Sequence, residues 1–133
     1  MKVGPLLIKL RLLCGDRFAM GPGKADLLAA IDREHSISGA ARAMDMSYRR
    51  AWLLVDEMNR CFVEPLVETL SGGGRERGAR LTPAGRRVVA AYGELEAASA
   101  QLADHSSHRE LAAMLRDEPI APAADPVPTD PTR

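Results

Sequence analysis

Ser47, Tyr48, Arg49 and Arg50 stand in a row at the head of "SYRRAWLLVDEMNR", a segment whose apolar residues recur at helical spacing. Two guanidiniums, a phenol and a hydroxyl within one helical turn suit recognition of a nucleic acid. An arginine there can grip guanine O6 and N7 in a bidentate fork, while Ser47 and Tyr48 can reach phosphate oxygens. The helix start adds a partial positive charge of its own. A second cationic group, Arg75, Arg77 and Arg80, is interleaved with Gly72, Gly73, Gly74 and Gly78. That pattern suits a flexible basic tip that tracks phosphates or dips into a minor groove. Ser38, near the start of the preceding helix, joins these residues as a candidate DNA contact.

Other chemistries find less support. The three histidines, His35, His105 and His108, lie outside any nucleophile–base arrangement, so catalysis is not expected. The "SGGGRERG" stretch is not followed by Lys-Ser/Thr leading into a helix, which separates it from a nucleotide-phosphate loop. His105 and His108, three apart near Asp104, form a candidate surface metal pair, although imidazoles on a solvated helix end usually bind nothing. Cys14 and Cys61 are too few for a disulfide framework and lack metal spacing. They read as reduced, partly buried thiols of a cytoplasmic protein.

Positioning a basic helix start requires elements around it. Alternation of Leu6, Ile8, Leu10 and Leu12 with Leu7, Lys9, Arg11 and Leu13 predicts a half-buried strand, and Gly15-Asp16 a turn into a partner strand over "RFAM", 17–20. "GPG", 21–23, is expected to end this N-terminal hairpin. Leu27, Leu28 and Ile31 then predict a first helix over 24–34. Ser36 or Ser38 can cap a second helix rich in small residues, Ala40, Ala41 and Ala43, which would let it lie close to the next. Asp45-Met46 leaves room for only a sharp corner, after which Ser47 caps the third helix. Ala51, Val55, Met58 and Phe62 form its buried stripe, with Tyr48, Arg49, Trp52 and Asp56 outside. Trp52 reads more readily as a packing residue than as a DNA-facing one.

Beyond Pro65, "LVETL", a loop over "SGGGRERGA" and "RLT" predict a second hairpin. Thr82-Pro83 is a strong helix start. It opens a long helix through Val88, Val89, Tyr92 and Leu95 to about Leu102, and a further stretch to Leu115. Five of the nine prolines fall in 119–133, so that tail is expected to be disordered. The divisions that follow are an N-terminal hairpin over 1–23, a winged helix-turn-helix over 24–82, a C-terminal dimerisation helix or helices over 83–118, and the tail. The fold class is mostly α with small β hairpins.

Net charge is zero, so affinity for DNA must come from clustering rather than from the total. Residues 42–87 carry nine arginines (42, 49, 50, 60, 75, 77, 80, 86, 87) against six acids (45, 56, 57, 64, 68, 76), a local excess of three. The apolar run near the N-terminus is short and interrupted by Lys9 and Arg11, which excludes a membrane span or secretory signal within it.

Together "GPGKADLLAAID", "HSISGAARAMDMSYRRAWLLVDEMN", "PLVETLSGGG" and "ARLTPAGRRVVAAY" resemble the N-terminal DNA-binding domain of the ModE family of molybdate-responsive regulators, itself similar to the LysR-type winged helix. "MSYRRAW" and "RLTPAG" are the most diagnostic segments. The resemblance implies a transcriptional regulator that binds double-stranded operator DNA as a homodimer, with the helix after the wing joining subunits. Full-length members continue into an oxyanion-binding module. Here the sequence runs instead into a short helix and a proline-rich tail, so a single-domain form is expected, without molybdate or another cofactor. Two alternatives stay open: a winged-helix protein-interaction module, and a metal-responsive regulator using the His105/His108 pair.

Overall fold

The computed structural model describes residues 1–72 and 75–124, and the side chains of 71–77 lie outside that description. Its core is a three-helix unit accompanied by three small two-stranded ladders, with a long helix leading away. Helix α1 (Pro22–Glu34) buries Leu27, Leu28, Ala30 and Ile31. Each large side chain so buried stabilises the fold by about 1.5–3 kcal/mol. The hairpin ends at Met20, just before "GPG" as expected, but α1 begins at Pro22, two residues earlier than the sequence suggested. Gly21 is the extended N-cap of α1 and Pro22 occupies its first turn, where the missing amide proton has no intrahelical partner to lose.

Helix α2 (Ile37–Ala43) is capped by Ser36, whose Oγ accepts the Gly39 amide at 2.8 Å. The expected small-residue face is there in part. Ala40 and Ala41 are buried with Gly39, but Ala43, in the last turn, is exposed. The corner into α3 (Tyr48–Cys61) is tight because Asp45 takes a left-handed conformation, φ 54°. Met46 N–H then reaches back to the Ala41 carbonyl at 2.9 Å and Asp45 N–H to that of Arg42 at 3.2 Å. This is a Schellman closure, made with aspartate in the place glycine usually fills. On α3, Ala51, Val55 and Met58 are buried and Phe62 packs at its end.

The single N-terminal strand expected over 6–12 is instead broken in two. Strands β1 (Lys2–Val3) and β2 (Leu6–Leu7) make one small ladder, and β3 (Leu12–Cys14) pairs with β4 (Arg17–Met20) in another. The period-2 pattern is real, but Met1 amine and carbonyl both bond to Ile8, at 3.0 and 2.8 Å, which commits the first half locally. The Gly15-Asp16 turn is present, with Gly15 at φ 60°.

Strands β5 (Val67–Gly72) and β6 (Arg75–Leu81) form the second hairpin, antiparallel from Val67↔Leu81 to Gly72↔Arg75. The predicted loop over 71–79 is therefore mostly strand. Only Gly73 and Gly74 stand between the two strands, and they lie outside the described residues. The ladder wins over the glycines because Ala79 N–H also bonds the His35 carbonyl at 2.9 Å, anchoring β6 to the end of α1.

Thr82 caps α4 (Pro83–Ala100) as predicted, accepting the Gly85 amide at 3.0 Å and donating to the Pro65 carbonyl at 2.6 Å. A 3₁₀ turn over Gln101–Asp104 leads into α5 (Ser106–Met114). Tyr92 on α4 is buried and donates its hydroxyl to the Leu10 carbonyl at 2.9 Å, tying the long helix to the N-terminal segment. Residues 119–124 adopt no regular structure, and the rest of the predicted tail lies outside the described residues.

Candidate nucleic-acid interface

The site begins with the Ser47 cap. Its Oγ accepts the Arg50 amide at 3.0 Å, which starts α3 and leaves the hydroxyl proton free to donate outward. Ala51, Val55 and Met58 face the core, and the first turn of α3 projects from it. Ser47, Tyr48, Arg49 and Arg50 are all exposed. So are Trp52 and Leu53, at 45% and 46%.

Two shallow depressions follow this face. One of about 260 Å³ is lined by Tyr48, Arg49 and Trp52. The other, of about 490 Å³, includes Ser47, Arg49, Arg50, Leu53 and Arg60 in its lining. Trp52 lies outside the buried stripe as expected, and is about half exposed on this face. The buried stripe is filled by residues three and four apart from Ala51, and position 52 falls a hundred degrees round the helix from it.

Ion pairing separates the arginines into two groups. Arg60 pairs with Asp56, Arg80 with Glu68, Arg86 with Asp32 and Arg87 with Glu64, at 3.5, 2.5, 3.5 and 3.3 Å. Arg42, Arg49 and Arg50 are exposed and form no ion pair among the described residues. The unneutralised charge of the helical unit is therefore gathered at the α2–α3 corner, beside the positive end of α3. Sequence counting could not see this, since partners such as Glu68 and Arg80 meet only across a ladder.

The remaining candidates are placed less simply. Ser38 does not cap α2. It lies half-buried in the first turn, its hydroxyl 3.5 Å from Ser36 Oγ. Arg80 sits on β6 facing Glu68 rather than on a loop tip, while the side chains of Arg75 and Arg77 lie outside the described residues. His105 and His108 each have a local backbone partner. His105 precedes α5 and its Nδ1 accepts the Ser107 amide at 3.0 Å, whereas His108 Nδ1 lies 2.7 Å from the Ala103 carbonyl. Among the described residues no three His, Cys, Asp or Glu converge as a metal group.

Sequence reasoning missed the framework that holds α3. Lys24 is buried and its ammonium bonds both the Phe18 carbonyl and, at 2.5 Å, Glu57 Oε1. Arg17 holds the other Glu57 oxygen at 3.2 Å. The Lys24 hydrogen bond, aided by Arg17, holds the Glu57 carboxyl below its usual value. Asn59 is a second clamp, accepting the Leu66 and Val67 amides at 2.8 and 3.2 Å and donating to the Val67 carbonyl at 3.1 Å. One signal was available: Lys24 begins the same i, i+3, i+4, i+7 row as Leu27, Leu28 and Ile31.

A capped, outward-facing basic helix after a tight corner, followed by an antiparallel hairpin anchored to both helices, defines a winged helix-turn-helix DNA-binding domain. Residues 24–86 match the family model described as the bacterial regulatory helix-turn-helix protein, lysR family. The chain is 48% identical over 83 residues to the molybdenum-pterin-binding protein MopB of Rhodobacter capsulatus, covering 62% of this chain and 31% of that protein. It is 42% identical over 91 residues to the molybdenum transport protein ModE of Azotobacter vinelandii, covering 68% and 34%. With the transcriptional dual regulator ModE of Escherichia coli it shares 35% identity over 85 residues, covering 64% and 32%. The matched region is similar to ModE-type proteins, and the chain spans about a third of the length of these relatives.

Proposed function

We propose that the protein is a transcriptional regulator that binds operator DNA sequence-specifically as a homodimer in the cytoplasm. The observation that carries this reading is the cluster of Arg42, Arg49 and Arg50, exposed and without ion-pair partners among the described residues, around the capped start of α3. Arg49 and Arg50 are the base-reading candidates. Ser47, Tyr48 and Arg42 are the phosphate-contact candidates, and Leu53 lies one turn beyond Arg49, where an apolar group can meet a thymine methyl.

The homodimer draws its support from the far end of the chain. Leu95, Leu102, Leu111, Met114 and Leu115 are all about half exposed or more along α4, the 3₁₀ turn, α5 and its end. Large apolar side chains repeated along these C-terminal elements favour burial against a second copy. Two copies would then offer two α3 helices to successive major grooves, about 34 Å apart.

Selection of bound fragments from genomic DNA tests the reading. Recovery of one recurrent motif with two-fold symmetry is the expected result, together with a dimer mass by light scattering. Fragments recovered without a common motif, or a monomer on the selected DNA, would contradict it.

Among the described residues no helix is long and apolar enough to cross a membrane.

A further inference from the structure

The chain's two cysteines, Cys14 and Cys61, come from different elements, the N-terminal hairpin and the end of α3. Cys14 ends β3 and is paired with Arg17 across the two-residue turn. Arg17 Nη1 lies 3.2 Å from Glu57 Oε2, and Glu57 precedes Cys61 by one turn of α3. The hairpin edge that carries Arg17 to Glu57 therefore carries Cys14 towards Cys61. The Cys61 thiol is pushed up by burial and, next, by a hydrogen bond with the Cys14 thiol. Cys14 is exposed and Cys61 half-buried. Cys61 lies at the opposite end of α3 from residues 47–50, so the DNA-facing residues make no use of either thiol.

We propose that Cys14 and Cys61 form a reversible dithiol–disulfide site that is oxidised by low-molecular-weight disulfides of the glutathione class. Cys14, open to solvent, loses its proton to water and attacks one sulfur of the small disulfide. A mixed disulfide forms and one small thiolate leaves. Cys61, as its thiolate, then attacks the Cys14 sulfur. The mixed disulfide breaks, the Cys14–Cys61 bond forms and the second small thiolate departs. The two electrons given up by the protein thiols reduce one small disulfide to two small thiols, which take up the two protons released. The product joins β3 covalently to the end of α3, beside the Arg17–Glu57 ion pair. Disulfides of cytosolic proteins are characteristically transient and redox-sensing, which is the use this geometry suits. The proposal stands independently of DNA binding.

The test is incubation of the full chain with oxidised glutathione, followed by intact-mass measurement and non-reducing peptide mapping. The expected product has no free thiol, is two hydrogens lighter than the reduced chain, yields a linked 14–61 peptide and reverts with dithiothreitol. Cys14→Ser and Cys61→Ser, both at or near the surface, should gain at most one glutathione and never the internal link. Stable glutathione adducts on the unaltered chain, disulfides between chains, or two thiols that persist while a free-cysteine control is consumed would each overturn it.

Discussion

Lys24 Nζ lies 2.5 Å from Glu57 Oε1, joining the start of α1 to α3. The lysine side chain is 9% exposed and the glutamate 22%, so the pair is shielded from solvent without being sealed from it. Removing one partner strands the other.

Glu57→Gln should therefore lower stability by about 2–3 kcal/mol, less than the roughly 3–5 kcal/mol that breaking a fully buried pair costs, because water still reaches the glutamate. Lys24→Met should cost less, since Arg17 remains to hold Glu57. The folded carboxyl titrates below its unfolded value, so its contribution is present above the unfolded value and is lost as pH falls through the folded one. Urea midpoints measured from pH 7 down to pH 3 should fall in the unaltered chain, with part of that fall missing in Glu57→Gln.

Arg49→Ala should weaken binding to the selected operator by about 1–3 kcal/mol and relax base preference at one position of each half-site. Fluorescence anisotropy on operator variants measures both. An unchanged affinity for operator and random DNA would remove Arg49 from the base-reading set.

Arg80 is already held by Glu68 at 2.5 Å, so its charge is partly spent within the wing. Glu68→Ala should free it, tighten binding to random duplexes and steepen the salt dependence by up to about one unit of slope. Arg80→Ala should change either quantity less than Arg49→Ala does. Binding isotherms at several salt concentrations separate these outcomes.

A Cβ on Gly85 would stand 2.2 Å from the Leu66 carbonyl oxygen, which itself accepts the Thr82 amide at 2.9 Å. Backbone cannot yield there without opening the junction between wing and α4. Gly85→Ala should cost about 1–3 kcal/mol, read as a lowered thermal midpoint. Gly93→Ala, with nothing within 4 Å of the added methyl, serves as the harmless control.

Burial pushes the Tyr92 phenol above its ordinary value. Its folded value is the higher one, so its contribution is intact below the unfolded value of about 10 and is lost as pH rises through the folded value. Ultraviolet titration should show one tyrosine ionising late, and Tyr92→Phe should abolish that step. Loss of the bond to Leu10 should cost about 1 kcal/mol.

By itself the sequence determined what depends on near neighbours. Helix periods, the Ser36, Ser47 and Thr82 caps, the Gly15-Asp16 turn and the outward basic row at 47–50 all rest on residues within a few positions of one another, and the structure has each of them. What it left undecided depends on groups far apart in the chain. Strand length in the wing turned on a ladder and on Ala79 meeting His35, against the local preference of the glycines for a loop. The free charge at the α2–α3 corner emerged only when Glu68, Asp32 and Glu64 claimed arginines distant in sequence. Lys24 and Glu57, and Cys14 and Cys61, likewise become neighbours only once the helices and hairpins pack. Local order is encoded by backbone geometry and hydrophobic period, whereas ion pairing and thiol proximity are properties of surfaces that do not exist until the chain has folded.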